Sequence, residues 1–133
     1  MFCDLVTEVF RKRVYSVITD KQNIVLEDMY MAVVNLNKDH FSKEVLENKG
    51  ITVIDFWASW CMPCKMLSPI VDEVAEEMKD VTVGKVNIDE QQQLAMQFGI
   101  MSIPTLVVLQ DGKEVKRSAG FISKQEMKDM LRV

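Results

Sequence analysis

Cys61 and Cys64, separated by Met62 and Pro63, stand between an apolar run over residues 51–57 and a segment of helical periodicity. Two cysteines at this spacing, at a strand-to-helix junction, read as a dithiol that closes into a disulfide and reopens. Cys61 is expected just ahead of the helix and Cys64 one turn inside it. Unpaired amides and the positive end of the helix dipole then favour a thiolate at Cys61, while Cys64 remains a thiol. An unperturbed cysteine titrates near ~8.5, so even a modest depression yields substantial thiolate at neutral pH. The implied chemistry is thiol–disulfide exchange, with Cys61 attacking a substrate disulfide and Cys64 resolving the mixed disulfide.

Other uses of the pair fit less well. A four-ligand zinc site needs two more cysteines or histidines, and only Cys3 and His40 remain, neither in a ligand-like pair. Covalent haem needs a histidine after the second cysteine, where this chain has Lys65. A hydrolytic Cys/His arrangement would require His40 to reach Cys61; a surface position at a helix start is the simpler reading of that residue. The expectation is therefore no metal and no bound cofactor, the cysteines themselves carrying the two electrons.

The remaining composition bounds the context. A chain of 133 residues, 48% hydrophobic and 27% charged, suits one domain with a short appendage. A net charge of −4 disfavours nucleic acid, and the longest basic run, Arg11-Lys12-Arg13, has acidic neighbours. No apolar segment approaches the ~18 residues of a membrane span, and Asp4 and Glu8 interrupt any secretory leader. A cytoplasmic protein is expected, where thiols are held mostly reduced and a CxxC pair is catalytic more readily than structural.

The elements that must position the dithiol follow in order. Residues 1–30 form an extension in which Phe2, Leu5, Val6, Val9, Phe10, Val14, Val17 and Ile18 fall at helical spacings, although 13–19 also suits a strand. This segment reads as an amphipathic element docked on the domain or a partner surface. Its Cys3 reads as an incidental thiol or as one half of an intermolecular disulfide. Residues 31–36 predict a strand, and a helix capped by Asn37 or Asp39 runs to about residue 48, where Lys49-Gly50 ends it. The apolar strand 51–57 is central and covered on both faces. A helix over 62–80 carries Pro69, which predicts a kink. A strand over 81–87, a helix over 89–97 and a strand over 105–109 come next. Asp111-Gly112 then marks a hairpin into a strand over 114–118, and Ser123 caps a closing helix over 124–132. This order predicts an α/β domain over 31–133, parallel pairs first and an antiparallel hairpin last, its mixed sheet between helices.

Residues 53–65, Val-Ile-Asp-Phe-Trp-Ala-Ser-Trp-Cys-Met-Pro-Cys-Lys, resemble the active-site signature of the thioredoxin family. Lys85-Val86-Asn87-Ile88-Asp89 and the stretch Gly99 to Thr105 resemble its two later landmarks, in order and at similar separations. The resemblance covers 31–133 and implies a thioredoxin fold: three layers, α/β/α, around a mixed sheet of about five strands with four helices. It implies that Asp55, an acid in an otherwise apolar strand, lies buried behind Cys64 and moves its proton; burial should raise its pKa into the range of a useful base. It implies that Lys85 sits near this acid. It also implies that Ile103-Pro104 is a cis-proline loop against the dithiol, leaving Ile103 backbone groups to pair with an extended substrate. Trp60, Met62, Pro63, Ile103, Pro104, Gly120 and Phe121 would surround Cys61 as an apolar contact surface, with Trp57 in a structural role. The function so implied is a protein-disulfide reductase acting on disulfide-containing proteins and recycled by a thioredoxin reductase. Two rivals stay open: an oxidase or isomerase on the same fold, and an interaction module in which the dithiol is secondary.

Three positions depart from the family pattern: Met62 and Ser102 stand where glycine is usual, and Phe121 where a small residue is common. Residues between the cysteines tune redox poise, ~30 mV being worth ~1.4 kcal/mol for a two-electron couple. The ten methionines are mostly helix packing, with Met62 and Met101 supplying an adaptable surface near the site.

Overall fold

A computed structural model describes residues 33–133, apart from the side chains of His40 and Lys43. The readings made for residues 1–30 and Cys3, and the boundary at residue 31, lie outside the described residues. Five strands form one sheet: β1 (Val33–Asn35), β2 (Ile51–Trp57), β3 (Thr82–Asn87), β4 (Thr105–Gln110) and β5 (Lys113–Ala119). Their spatial order is β1-β3-β2-β4-β5, with β1, β3 and β2 parallel and β4 and β5 antiparallel. β2 is therefore central, as its largely apolar sequence, interrupted by Asp55, requires.

Helices cover both faces. On one side Val53 of β2, Val83 of β3 and Leu106 and Val108 of β4 pack under α2 (Met62–Glu77) and α4 (Lys124–Leu131), through Leu67, Val71, Val74, Met127 and Leu131. On the other, Ile54, Phe56, Val86 and Val107 meet Leu36, Phe41 of α1 (Lys38–Phe41), Val45 just beyond it, and Leu94 of α3 (Gln92–Gln97). The alternation Val53/Ile54/Asp55/Phe56 follows the period of two, so Asp55 shares the face that α2 covers. Lys124 and Lys128 of α4 both pair with Glu77 of α2, tying the two helices together outside the core. No helix among the described residues is long and apolar enough to cross a membrane.

Several element ends differ from the sequence reading, each for a local reason. The helix expected over 37–48 opens as an α-helical turn, α1 (Lys38–Phe41), with Asn37 Oδ1 accepting from Asp39 N at 3.0 Å. It continues as a wider π-helical turn, Ser42–Leu46, closed by Glu47 N to Ser42 O at 2.9 Å, with Phe41 and Val45 both buried. α2 ends at Glu77 rather than 80, because a turn from Met78 to the buried Val81 redirects the chain into β3. α3 starts at Gln92 rather than 89: the Asn87 side chain accepts from Asp89 N at 2.9 Å, an Asx turn that competes with helix. The Asp111-Gly112 hairpin is present, both residues at positive φ (51° and 83°), and Asp111 exchanges two hydrogen bonds with the backbone of Gly50.

Candidate active site

At the C-terminal end of β2 the chain leaves the sheet through Ala58, Ser59 and Trp60 and enters α2. Cys61 is the N-cap of that helix, with extended backbone (φ −92°, ψ 111°), and its Sγ accepts from Cys64 N at 3.2 Å. Pro63 sits in the first turn, where the donor it lacks would have no helical partner. This geometry brings the two cysteines to a Cα–Cα distance of 5.2 Å, and they are joined as a disulfide. Cys61 is 5% exposed and Cys64 2%; Ala58, Trp57, Ile88 and Ile103 pack around them.

A loop from another part of the chain closes one side. The Ile103–Pro104 peptide is cis, Ile103 lies against the dithiol cluster, and Pro104 O accepts from Gly120 N at 2.8 Å. That bond carries the turn at Gly120 (φ 96°, a conformation suited to glycine) and the neighbouring Phe121 to the rim of the site. Neither backbone group of Ile103 is used in a hydrogen bond among the described residues. Around this rim large apolar side chains stand in solvent: Trp60, Met62 and Met66 are each 60% or more exposed, Met101 is 97% and Phe121 47%. Trp60 is nonetheless fixed, its indole N–H donating to Asp89 Oδ2 at 3.0 Å.

Beneath the dithiol, Asp55 is 1% exposed. Its Oδ1 has no hydrogen-bond partner, and neither does the buried Nε1 of Trp57 two residues on. Burial pushes the Asp55 carboxyl up from 3.8 to about 7, against a downward pull from the Lys85 charge and with a further upward push from Asp72. Lys85 is the register partner of Asp55 on β3. Its ammonium, however, donates to Ser68 Oγ at 2.6 Å and to Asp72 Oδ1 at 2.8 Å, both on α2.

The structure thus gathers Cys61, Cys64, Trp60, Met62, Pro63, Ile103, Pro104, Gly120 and Phe121 at one end of the sheet, with Asp55 and Lys85 side by side on the two central strands. Sequence reasoning missed Ser68, Asp72 and Asp89. Cys64, Ser68 and Asp72 do recur at four-residue spacing along one edge of α2, two polar residues in line with the buried thiol. Asp89 carries no comparable signal, because its partner Trp60 is brought to it only by the fold.

The protein resembles known chains over this same region. A family model described as Thioredoxin matches residues 32–133. The thioredoxin of Bacillus subtilis is 43% identical over 102 residues, 76% of this chain and 96% of the relative. Thioredoxin 1 of Synechococcus elongatus is 46% identical over 92 residues, 68% of this chain and 86% of its own. The thioredoxin of Mycoplasmoides gallisepticum is 43% identical over 96 residues, covering 72% and 95% respectively.

Proposed function

The chain belongs to the thioredoxin family, and from that premise we propose how its residues divide the work of a protein-disulfide reductase. The chemistry is dithiol–disulfide exchange at Cys61 and Cys64. The Cys61 thiolate attacks one sulfur of a substrate disulfide, forming a mixed disulfide and releasing the first substrate thiolate. Cys64 gives its proton to Asp55 and attacks Cys61 Sγ. This closes the Cys61–Cys64 disulfide and releases the second substrate thiolate, which takes up a proton. Two electrons pass to the substrate, and an external dithiol donor, a thioredoxin reductase on this reading, restores the pair.

The observation that carries the assignment is the N-cap position of Cys61. Its sulfur accepts an amide hydrogen bond from Cys64 N, the contact that stabilises a thiolate at a helix start. Cys64, inside the first turn and 2% exposed, suits an attack on a bound neighbour rather than on an incoming protein. The free Ile103 backbone suits pairing with an extended substrate segment, and the rim of Trp60, Met62, Pro63, Pro104, Gly120 and Phe121 supplies apolar contact without deep pockets. Met62, on the first residue of α2, widens that contact beside the attacking sulfur. The setting proposed is a cytoplasmic one.

Insulin disulfide reduction by wild type, Cys61→Ser and Cys64→Ser tests the division of labour. Both variants lose turnover, and Cys64→Ser alone accumulates a covalent complex with substrate that dithiothreitol dissolves. A trapped complex in Cys61→Ser instead would reverse the roles. A redox potential well above the cytosolic glutathione poise would favour the oxidase or isomerase reading over the reductase.

A further inference from the structure

The lysine beside the buried acid is not ion-paired with it. Asp55 and Lys85 are direct register partners on adjacent parallel strands, on the face that α2 covers. An ammonium this close would normally turn to a buried carboxylate, since an opposite charge within about 4–6 Å strongly favours ionisation. Here Lys85 Nζ is taken by Ser68 Oγ and Asp72 Oδ1, and Asp55 Oδ1 is left without a hydrogen bond. We propose that Ser68 and Asp72 are positioning residues, which hold Lys85 off Asp55 and so set how readily Asp55 takes the proton of Cys64.

The arrangement suits that role. Cys64, Ser68 and Asp72 follow one another at four-residue spacing on α2, so the resolving thiol and both holding groups share one edge of the helix. The Lys85 side chain is 12% exposed and that of Asp72 56%. Asp72 is therefore solvated, and restrains the ammonium without placing a second bare carboxylate in the interior. The other elements packed over Asp55 bring no further charge: its register partner on β4 is Leu106, and α4 presents Met127 and Leu131 to this layer. Lys85 and Asp72 are thus the charges that act on it, and they pull in opposite directions. A Lys85 freed from α2 would swing to Asp55 and hold it ionised below neutral pH. It would then be a poorer acceptor for a thiol proton, because a base works best with a pKa near the operating pH.

This inference rests on Asp55 being the proton acceptor, and one experiment separates the two. The Asp55 carboxyl carbon is titrated by NMR in the reduced protein for wild type, Ser68→Ala, Asp72→Asn, Lys85→Met and the double variant Ser68→Ala/Lys85→Met. Ser68→Ala and Asp72→Asn lower the midpoint, by about one pH unit for a newly released opposite charge. Lys85→Met raises it, and adding Ser68→Ala to Lys85→Met changes nothing further. Ser68→Thr and Asp72→Glu, which keep the holding groups, restore the wild-type midpoint. Ser68 is uncharged, so an unchanged midpoint in Ser68→Ala overturns the inference even if Asp72→Asn shifts it. The pH profile of the resolving step, followed as release of a mixed disulfide, supplies the second reading. If it tracks the Asp55 midpoint across the series, both ideas stand. If the midpoint moves and the profile does not, the hold on Lys85 stands and the role of Asp55 as acceptor is refuted.

Discussion

Replacing Asp55 by asparagine should stabilise the oxidised protein at alkaline pH and do so far less at acid pH. The carboxyl titrates near 3.8 in an unfolded chain and about 7 here, so the folded state binds the proton more tightly than the unfolded one. Stability therefore falls as pH rises through that interval: below 3.8 both states are protonated and nothing is lost, and above 7 the whole cost of the buried charge is present. The gap between the two values, at ~1.4 kcal/mol per pH unit, amounts to about 4 kcal/mol. The opposite case comes from Glu77, Glu114 and Glu126, whose cation or cap partners hold them below the usual carboxylate range. Their stabilisation is complete above 4.5 and is lost only as the pH drops further, so it cancels between variant and wild type. Asparagine also leaves a buried polar group imperfectly partnered, but that cost does not vary with pH. Urea unfolding of the disulfide form at pH 4.5, 6, 7 and 8.5 isolates the titrating part. The stability difference, variant minus wild type, should grow by several kcal/mol across the series, most steeply between pH 5 and 7. A difference that is the same at pH 4.5 and 8.5 would mean that Asp55 is not a buried acid of raised proton affinity, and would undercut its use as a base.

Two further perturbations test the frame around the site. Gly112→Ala places a methyl group 2.6 Å from the backbone oxygen of Leu46 at a residue with φ 83°. It should cost about 1–3 kcal/mol in urea unfolding, and an unchanged midpoint would show that the hairpin and the π-helical turn are not in contact. Ser123→Ala removes the hydroxyl of a complete capping box with Glu126. A loss of ~1 kcal/mol is expected, with the insulin-reduction rate at 25 °C unaltered because α4 lies away from the dithiol; a fall in rate without a fall in stability would contradict that separation.

Much of the scaffold was legible because its signals are local or periodic. The largely apolar run of β2 announced a central strand, Asp111-Gly112 announced a hairpin, and the CxxC between strand and helix announced a redox pair. The cis bond at Pro104 and the burial of Asp55 behind the dithiol came from the thioredoxin resemblance, since neither leaves a periodic trace. The element ends that shifted did so through side chains acting on nearby backbone. Asn87 is the plainest case: helix periodicity places a start at 89, but its carbonyl oxygen captures the amide of Asp89 and delays the helix to Gln92.

The hold on Lys85 shows why part of the site stays hidden in a linear reading. That Cys64, Ser68 and Asp72 share an edge of α2 follows from a period of 3.6 and is readable. That Lys85 lies beneath that edge depends on β3 pairing with β2 in the register that sets Lys85 against Asp55, a contact between segments thirty residues apart that no local pattern encodes. A shift of one residue in that register would turn Lys85 to the opposite face of the sheet, where Val86 now packs beside Phe56 and Leu94. Val86 belongs to that far core and Val83 to the core under α2, so a slip would withdraw both valines from the clusters they fill. The core on the far side of the sheet, which touches no reacting atom, thus determines which lysine stands beside the acid and which helix can hold it there.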